Sequence, residues 1–379
     1  MWNTSVRPYG PFAKGLAMSN LKDFIVSPHI SVREAVAKVN STGKKTVFVV
    51  DDNEKLVGLF TDGDMRKYIL RNGDMGARVS EAMNASPVVY RLKDEARLRS
   101  EMATRKMIVY PVVDDEGHLI QAYFWDELSA GMGNRKLRVP DSVSTVIMAG
   151  GLGTRLYPYT KVLPKALIPI GELPICSHIM NSFMQCGCGQ FHLILNHKHE
   201  MIKAYYKEES MSCDIQYHKE EAFLGTAGGL YLLKGKIHDT CFVTNCDILV
   251  DTDYGCVYHY HKKEKNLITV IGAIKDVQIP YGVIKLSAES DISEISEKPK
   301  FSFLTNVGVY LIEPEVIEDL KDNEFIHMPD LIRRYVDMGR KVGVFPVSGE
   351  QWLDMGQLEE MKRMTDVLEQ RAKAELKRG

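Results

Sequence analysis

The chain has 379 residues, 45% of them hydrophobic and 26% charged, with a formal net charge of −2. That is an ordinary globular composition with length for two or three domains, and it lacks the basic excess of a nucleic-acid or membrane surface. No apolar run reaches the ~18 residues of a membrane span, and the opening MWNTSVRPYGPFAKG holds no signal-peptide core, so a cytoplasmic protein is expected.

From the N-terminus, two stretches resemble each other at an offset of 63 residues. Thr46–Met65 reads TVFVVDDNEKLVGLFTDGDM, and Val109–Leu128 reads VYPVVDDEGHLIQAYFWDEL. Asp51 and Asp52 fall on Asp114 and Asp115. Each copy is a β-type run (Val47–Val50; Tyr110–Val113), an acidic turn and a second apolar run. A helix-like stretch precedes each, Val32–Val39 after Ser31 and Glu95–Met102 after Asp94, both openings being suitable N-caps. One such unit is too small to bury a core by itself, so the two are expected to pack as a pair.

Residues 19–129 resemble a tandem pair of CBS domains, an α+β arrangement with copies at about 19–72 and 80–129. The resemblance rests on Gly58-Leu59-Phe60-Thr61-Asp62-Gly63-Asp64, which is similar to that family's strand-to-helix turn. It implies that Gly58, Thr61 and Asp64 hold a regulatory nucleotide by its ribose. A hydroxyl and a carboxylate three residues apart at a helix start can address a diol, and the helix N-terminus favours phosphate. Gln121, Phe124 and Glu127 stand at the matching positions of the second copy, so one nucleotide per pair is implied rather than two. A purely structural, dimerising module is the competing reading. A homodimer or higher homo-oligomer is expected through this pair.

Residues 130–142 (AGMGNRKLRVPDS) read as a linker, which leaves 143–379 as a second domain. The β-run Thr145–Ala149 ends in Gly150-Gly151-Leu152-Gly153-Thr154-Arg155, and Lys165 follows ten residues after Arg155. Bare backbone N–H groups with nearby cations suit phosphate. The loop lacks the Gly-Lys-Ser/Thr of a Walker motif and the third glycine of the dinucleotide fingerprint. Apolar runs at 145–149, 191–195, 241–244 and 267–274 alternate with helix-like stretches at 175–186, 200–209 and 253–264, the pattern of an α/β sheet. Ligands of such sheets sit beyond the carboxyl ends of the strands, where Gly150, Asn196 and Asp247 fall. A charged helix-like segment, Gln357–Lys377, closes the chain. The seven cysteines show no CxxC spacing, and His197-Lys198-His199 has no further spaced ligand, so neither is read as a metal site.

GGLGTRLYPYTKVLPK resembles the signature of the sugar-1-phosphate nucleotidyltransferases. The resemblance continues in order through Leu224-Gly225-Thr226-Ala227-Gly228-Gly229 and Asn245-Cys246-Asp247, where cysteine replaces the usual glycine. Pro280-Tyr281-Gly282-Val283, Glu297-Lys298-Pro299, Asn306-Val307-Gly308 and Trp352-Leu353-Asp354-Met355-Gly356 follow. It implies a Rossmann-like domain with a mixed central sheet that joins an NTP to a sugar 1-phosphate and releases pyrophosphate. Gly150, Gly151, Gly153, Thr154, Gly225 and Thr226 would bind the nucleotide. Arg155 would hold the leaving pyrophosphate, Lys165 the α-phosphate, and Asp247 and Asp354 a Mg²⁺ ion. Lys298 would hold the sugar phosphate, with Gly282, Glu297 and Asn306 at the sugar.

The base is read from the Glu220-Glu221 pair, with Glu221 assigned to the nucleotide. These carboxylates could accept from a guanine N1–H and amino group, which points to GTP; a solvated acidic turn is the competing reading. The arrangement is similar to guanylyltransferases acting on glucosamine 1-phosphate in nonulosonic (legionaminic) acid pathways. Mannose or heptose 1-phosphate with GTP, a sugar phosphate with UTP, CTP or dTTP, and a non-catalytic nucleotide-sensing subunit stay open.

Overall fold

In the N-terminal third, the sequence repeat is a repeat of strand register. Thr46–Val50 pairs antiparallel with Leu56–Thr61, and Val109–Val113 with Leu119–Phe124. Thr46 faces Thr61 and Val109 faces Phe124, and each ladder breaks step at the same place, between Val49 and Val50 and between Val112 and Val113. A short parallel strand flanks each ladder, Ile25–Val26 in the first and Tyr90–Arg91 in the second. The acidic turns are equivalent too. Asp51 Oδ1 accepts from the N–H groups of Asn53 and Lys55 at 3.0 and 2.9 Å, and Asp114 Oδ1 from that of His118 at 2.8 Å. A short acceptor side chain that satisfies the turn's own backbone is the reason both copies place Asp there.

The computed structural model describes residues 16–17, 21–91, 94, 98, 109–124, 137–209, 211–286, 291–356 and 358–376, in two units, Met1–Arg135 and Lys136–Gly379. Within the first unit the two copies share a core. Leu21, Phe24, Phe48 and Leu59 of one pack with Val109, Leu119, Ala122 and Phe124 of the other. Neither copy has enough apolar surface to do this alone. The helix expected at 32–39 runs Val32–Thr42, opened by a Ser31–Glu34 capping box and closed by Gly43 at φ +66°. Its expected counterpart at Glu95–Met102 lies outside the described residues except for Leu98, as do Glu127 and residues 130–136 of the linker.

The second unit is built on a mixed sheet, seven strands wide among the described residues. Their order is Asp214–Lys219, Gln190–Leu195, Ser144–Ala149, Cys241–Asn245, Lys300–Ile312, Ile268–Gln278, Val342–Val347. The first four are parallel, and Lys300–Ile312 runs antiparallel to both neighbours. Side chains alternate between two cores, as strand geometry demands. Ile147, Leu193, Leu195 and Phe242 enter one; Val146, Ile194, Cys241 and Val243 enter the other. Burial on both faces explains why these strands read as continuous apolar runs.

The helix Ile175–Met184 covers the first core with Ile175, Ile179, Met180 and Phe183, a helical spacing. His199–Glu208 and Tyr254–Glu264 are the other two expected helices, and Leu358–Leu376 is the C-terminal one. Among the described residues no helix is long and apolar enough to cross a membrane.

Candidate functional site

The parallel strands end level with one another, because Ala149 is paired with Leu195, Leu195 with Lys219, and Met148 with Asn245. The residues that follow them, Gly150, Asn196, Glu220 and Cys246-Asp247, are therefore delivered to one edge of the sheet.

At that edge the glycines are required by what lies against them. A Cβ on Gly150 would stand 2.6 Å from Glu220 Oε2 and 3.2 Å from Asn196 Cβ. Gly153 has φ +65° and opens the short 3-10 turn Thr154–Leu156. Its carbonyl accepts from Thr160 Oγ1 at 2.8 Å, and Lys198 Nζ donates to the carbonyls of Thr160 and Lys161 at 3.0 and 2.6 Å. The loop is thus fastened at its far end while Gly151, Thr154 and Arg155 stay exposed.

Lys165 opens the turn Lys165–Leu167 and packs its Cβ 3.3 Å from the Cβ position of Gly153. Its ammonium is ion-paired with Asp247 Oδ2. The two strands Ile248–Val250 and Trp352–Asp354 are antiparallel with Ile248 facing Asp354, and Met355 N–H donates to the Asp247 carbonyl at 3.0 Å. That ladder is what brings a residue from the end of the chain beside one from its middle.

Burial raises the pKa of the Asp354 carboxyl, and the charge of Asp247 raises it further against the hydrogen bond from Gly356 N–H. Burial works to lower Lys165, but the Asp247 carboxylate outweighs it and holds the ammonium charged. A buried and a half-buried carboxylate that repel each other, offering oxygen donors, fit a hard divalent cation. Asp114, Glu116 and His118, whose ligand atoms lie within 4.8 Å of one another, form a group of three possible metal ligands in the turn of the first unit.

The sequence marks Glu221 for the nucleotide; the structure leaves Glu221 exposed and sets Glu220 against the loop. Glu221 is 84% exposed and pairs with Lys219 at 3.6 Å. Glu220 is 2% exposed, wedged between Gly150 and Gly229, with Oε1 unpartnered. Burial pushes its carboxyl up to about 7, against a lowering hydrogen bond from Leu224 N–H. The signal available in the sequence is position: Glu220 is the first residue past the strand Asp214–Lys219, as Gly150 and Asn196 are past theirs.

Gly225 and Thr226 sit in a loop latched onto residues 324–328. A Cβ on Gly225, at φ +85°, would lie 2.5 Å from the Ile326 carbonyl oxygen, and Thr226 Oγ1 accepts from Met328 N–H at 2.9 Å. His327 Nδ1 accepts from Thr226 N–H at 3.3 Å, a contact the sequence does not suggest.

The remaining candidates lie on the long strands and their connections. Glu297 and Lys298 are exposed, Lys298 at φ +47°, and a Cβ on Gly282 would be 3.0 Å from Glu297 Oε2. Asn306 donates to Tyr310 Oη at 2.9 Å and accepts from Gly308 N–H at 2.9 Å. In the first unit, Thr61 and Asp64 form a reciprocal capping box on the helix Asp62–Leu70, with Thr61 Oγ1 donating to Asp64 Oδ2 at 2.6 Å. Gly58 admits the Met83 side chain, whose sulfur would be 2.4 Å from a Cβ there. Phe124, at the position matching Thr61, is buried 5.2 Å from the Phe24 ring.

Comparison with known proteins gives two family matches: a model described as "Nucleotidyl transferase" fits residues 144–371, and one described as "CBS domain" fits residues 17–71. A mannose-1-phosphate guanyltransferase of Aspergillus fumigatus is 32% identical over 189 residues, 47% of this chain and 52% of that one. The catalytic subunit beta of mannose-1-phosphate guanylyltransferase from Drosophila pseudoobscura pseudoobscura is 27% identical over 243 residues, 59% of this chain and 62% of that one. A UTP–glucose-1-phosphate uridylyltransferase of Synechocystis is 28% identical over 236 residues, 57% and 61% of the two chains. The chain therefore spans between 52% and 62% of these relatives' lengths. Among solved structures, HddC from Yersinia pseudotuberculosis aligns with a TM-score of 0.48 at 22% identity, covering 60% of this chain and 99% of that one.

Proposed function

Since the chain belongs to the nucleotidyl transferase family, we propose that it transfers a nucleoside monophosphate from an NTP to a sugar 1-phosphate and releases pyrophosphate. The observation that carries this reading is the meeting of Lys165, Asp247 and Asp354 beside the glycine loop at the carboxyl edge of the sheet.

The sugar phosphate oxygen that attacks the α-phosphorus is anionic at neutral pH, so no general base is required. The obstacle is repulsion between anions, and catalysis reduces to positioning and charge neutralisation. Lys165 is placed for the α-phosphate and the attacking oxygen, and Arg155, on the exposed flank of the loop, for the departing pyrophosphate. Asp247 and Asp354 would hold a Mg²⁺ ion, which when bound would supply positive charge at the phosphates. Lys298 receives the sugar phosphate, and Glu297, Asn306 and the bare backbone at Gly282 receive the sugar.

GTP is the proposed donor and glucosamine 1-phosphate the proposed acceptor. The Glu220-Glu221 pair past the strand Asp214–Lys219, of which Glu221 is the exposed member, offers carboxylate acceptors to a guanine N1–H and amino group. Mannose 1-phosphate is the second reading, favoured by the names of two of the relatives. Pyrophosphate release measured for GTP, UTP, CTP and dTTP against both sugar phosphates tests the choice. GTP with glucosamine 1-phosphate is expected to be fastest, and Glu221→Ala to erode the preference for guanine. A faster rate with another base in the parent protein would overturn the donor assignment.

The first unit is proposed to bind one nucleotide at Gly58, Thr61 and Asp64. There the ribose hydroxyls would share the oxygens that now cap the helix. Calorimetric titration of the full chain with AMP, ADP, ATP and GMP is expected to give one site per chain, lost in Asp64→Ala. By reciprocity, a nucleotide bound there that changes substrate affinity must have its own affinity changed by the same factor. Absence of heat with all four would leave the turn as a helix cap only.

A further inference from the structure

The last residues of the linker are seated on the second unit. Val139 is 4% exposed in that unit's core and donates its N–H to the Cys186 carbonyl at 2.9 Å. Ser142 Oγ donates to Asp239 Oδ2 at 2.6 Å. Upstream of this anchor, Leu137 N–H donates to Asp253 Oδ2 at 3.4 Å, while the Leu137 side chain is 43% exposed. Burial of the leucine therefore does not account for the seat.

Two glycines account for it. A Cβ on Gly255 would collide with the Leu137 carbonyl oxygen, and one on Gly187, at φ +104°, would stand 3.2 Å from Arg138 Nε. Main chain lies directly on main chain at Gly255, a close approach that only glycine admits. A linker that merely spans two units has no need of such a place.

The seat is joined to the two candidate metal carboxylates by a short, fully bonded path. Asp253 caps the helix Tyr254–Glu264, its Oδ1 accepting from Cys256 N–H at 3.2 Å. Tyr254 stacks on Phe183 at 4.0 Å and donates from Oη to the Val250 carbonyl at 3.2 Å. Val250 ends the strand Ile248–Val250, which begins immediately after Asp247. Beyond it, Asp251 N–H donates to the Gln351 carbonyl at 2.8 Å, and Gln351 Nε2 to that of Asp251 at 2.7 Å. Those two bonds close the ladder with Trp352–Asp354 at its far end. A ladder three residues long spans only ~10 Å between that closure and the carboxylates.

We propose that residues 137–139 are a strap whose seating on Gly187 and Gly255 sets the spacing of Asp247 and Asp354. Asp253 and Gly255 are then positioning residues for the cation site, although neither touches a substrate. The proposal rests on the metal role assigned to the two carboxylates. It also says where a pull on the linker is felt. Lifting the strap alters affinity for the divalent cation, whereas the phosphate loop keeps its own fastening at Thr160 and Lys198. Partners that orient metal ligands in this way are worth about 10–100-fold in metal affinity.

Unfolding temperature of the full chain, measured against Mg²⁺ concentration without substrates, tests it. In Gly255→Ala the Mg²⁺ concentration giving half of the thermal rise is expected to increase about 10-fold. Asp253→Asn is expected to shift it in the same direction. Its carbonyl oxygen keeps the Cys256 cap, but its amide cannot accept from Leu137 N–H. The Mg²⁺ concentration for half-maximal turnover should move by the same factor, with kcat at saturating Mg²⁺ near the parent's. A merely structural seat would lower the metal-free unfolding temperature and leave both Mg²⁺ midpoints in place. Parent-like midpoints in both variants would therefore overturn the strap. A parent protein with no Mg²⁺-dependent rise would overturn the metal role itself, and the strap with it.

Discussion

Lys165→Ala is expected to lower turnover by about 10²–10³-fold, the effect of removing one preorganised charge contact to a transition-state anion. Two observations make the position sensitive. Its ammonium is held charged by Asp247, and its stem packs against Gly153, so both the loop and the carboxylate fix where the charge sits. Arg155→Ala should fall by a similar factor, since its exposed guanidinium is the group proposed to hold the departing pyrophosphate. Neither substitution removes core packing, so circular dichroism and the unfolding midpoint should stay near those of the parent. The Lys165→Arg protein is not expected to recover, because a broad planar fork cannot occupy the place of a compact ammonium beside Asp247. Near-parent kcat/KM in either alanine variant would remove the glycine loop from the chemistry.

Asp247→Asn and Asp354→Asn are expected to cost at least about 100-fold each in turnover, in line with the several kcal/mol a bound cation contributes to charge stabilisation. They also carry a signature apart from activity. Without a cation the two carboxylates oppose each other, and Asp354 is already resisted by burial. A Mg²⁺ ion held there would relieve that repulsion, and adding Mg²⁺ is expected to raise the unfolding temperature of the parent protein. In either asparagine variant the Mg²⁺-dependent rise should vanish; metal-free stability should hold or improve in Asp354→Asn, whereas Asp247→Asn also removes the partner of Lys165 and should lose stability. Full turnover in excess chelator, or an undiminished thermal response in both variants, would refute the metal role.

The parts of this protein that were legible in the sequence are those whose neighbours are fixed by local pattern. Ser144–Ala149, Gln190–Leu195 and Cys241–Asn245 are buried on both faces, so each reads as an apolar run. The repeat was legible because an Asx turn and a ladder with one irregularity demand the same residues each time they occur.

Asp214–Lys219 was not legible. It is an edge strand of sequence DIQYHK, and its only cover is on one side. Lys300–Ile312 escaped for another reason: its first half is ribbon and its second half is the middle of the sheet, so no single period describes it. Which of Glu220 and Glu221 is buried depends on where one strand stops, and a shift of a single residue turns a side chain to the opposite face. Thr61 and Asp64 show the limit of motif reading. The same hydroxyl and carboxylate that could address a ribose also make a complete helix cap.

The most direct measurement follows the α-phosphorus itself. With GTP labelled at the α-phosphate, and a sugar 1-phosphate and Mg²⁺ present, all transferred label should appear in a nucleotide-sugar. Label at the β- or γ-position should appear only in pyrophosphate, in equal amount. Release of label as free GMP or GDP, or release at the same rate without sugar phosphate, would contradict an in-line transfer between the two substrates.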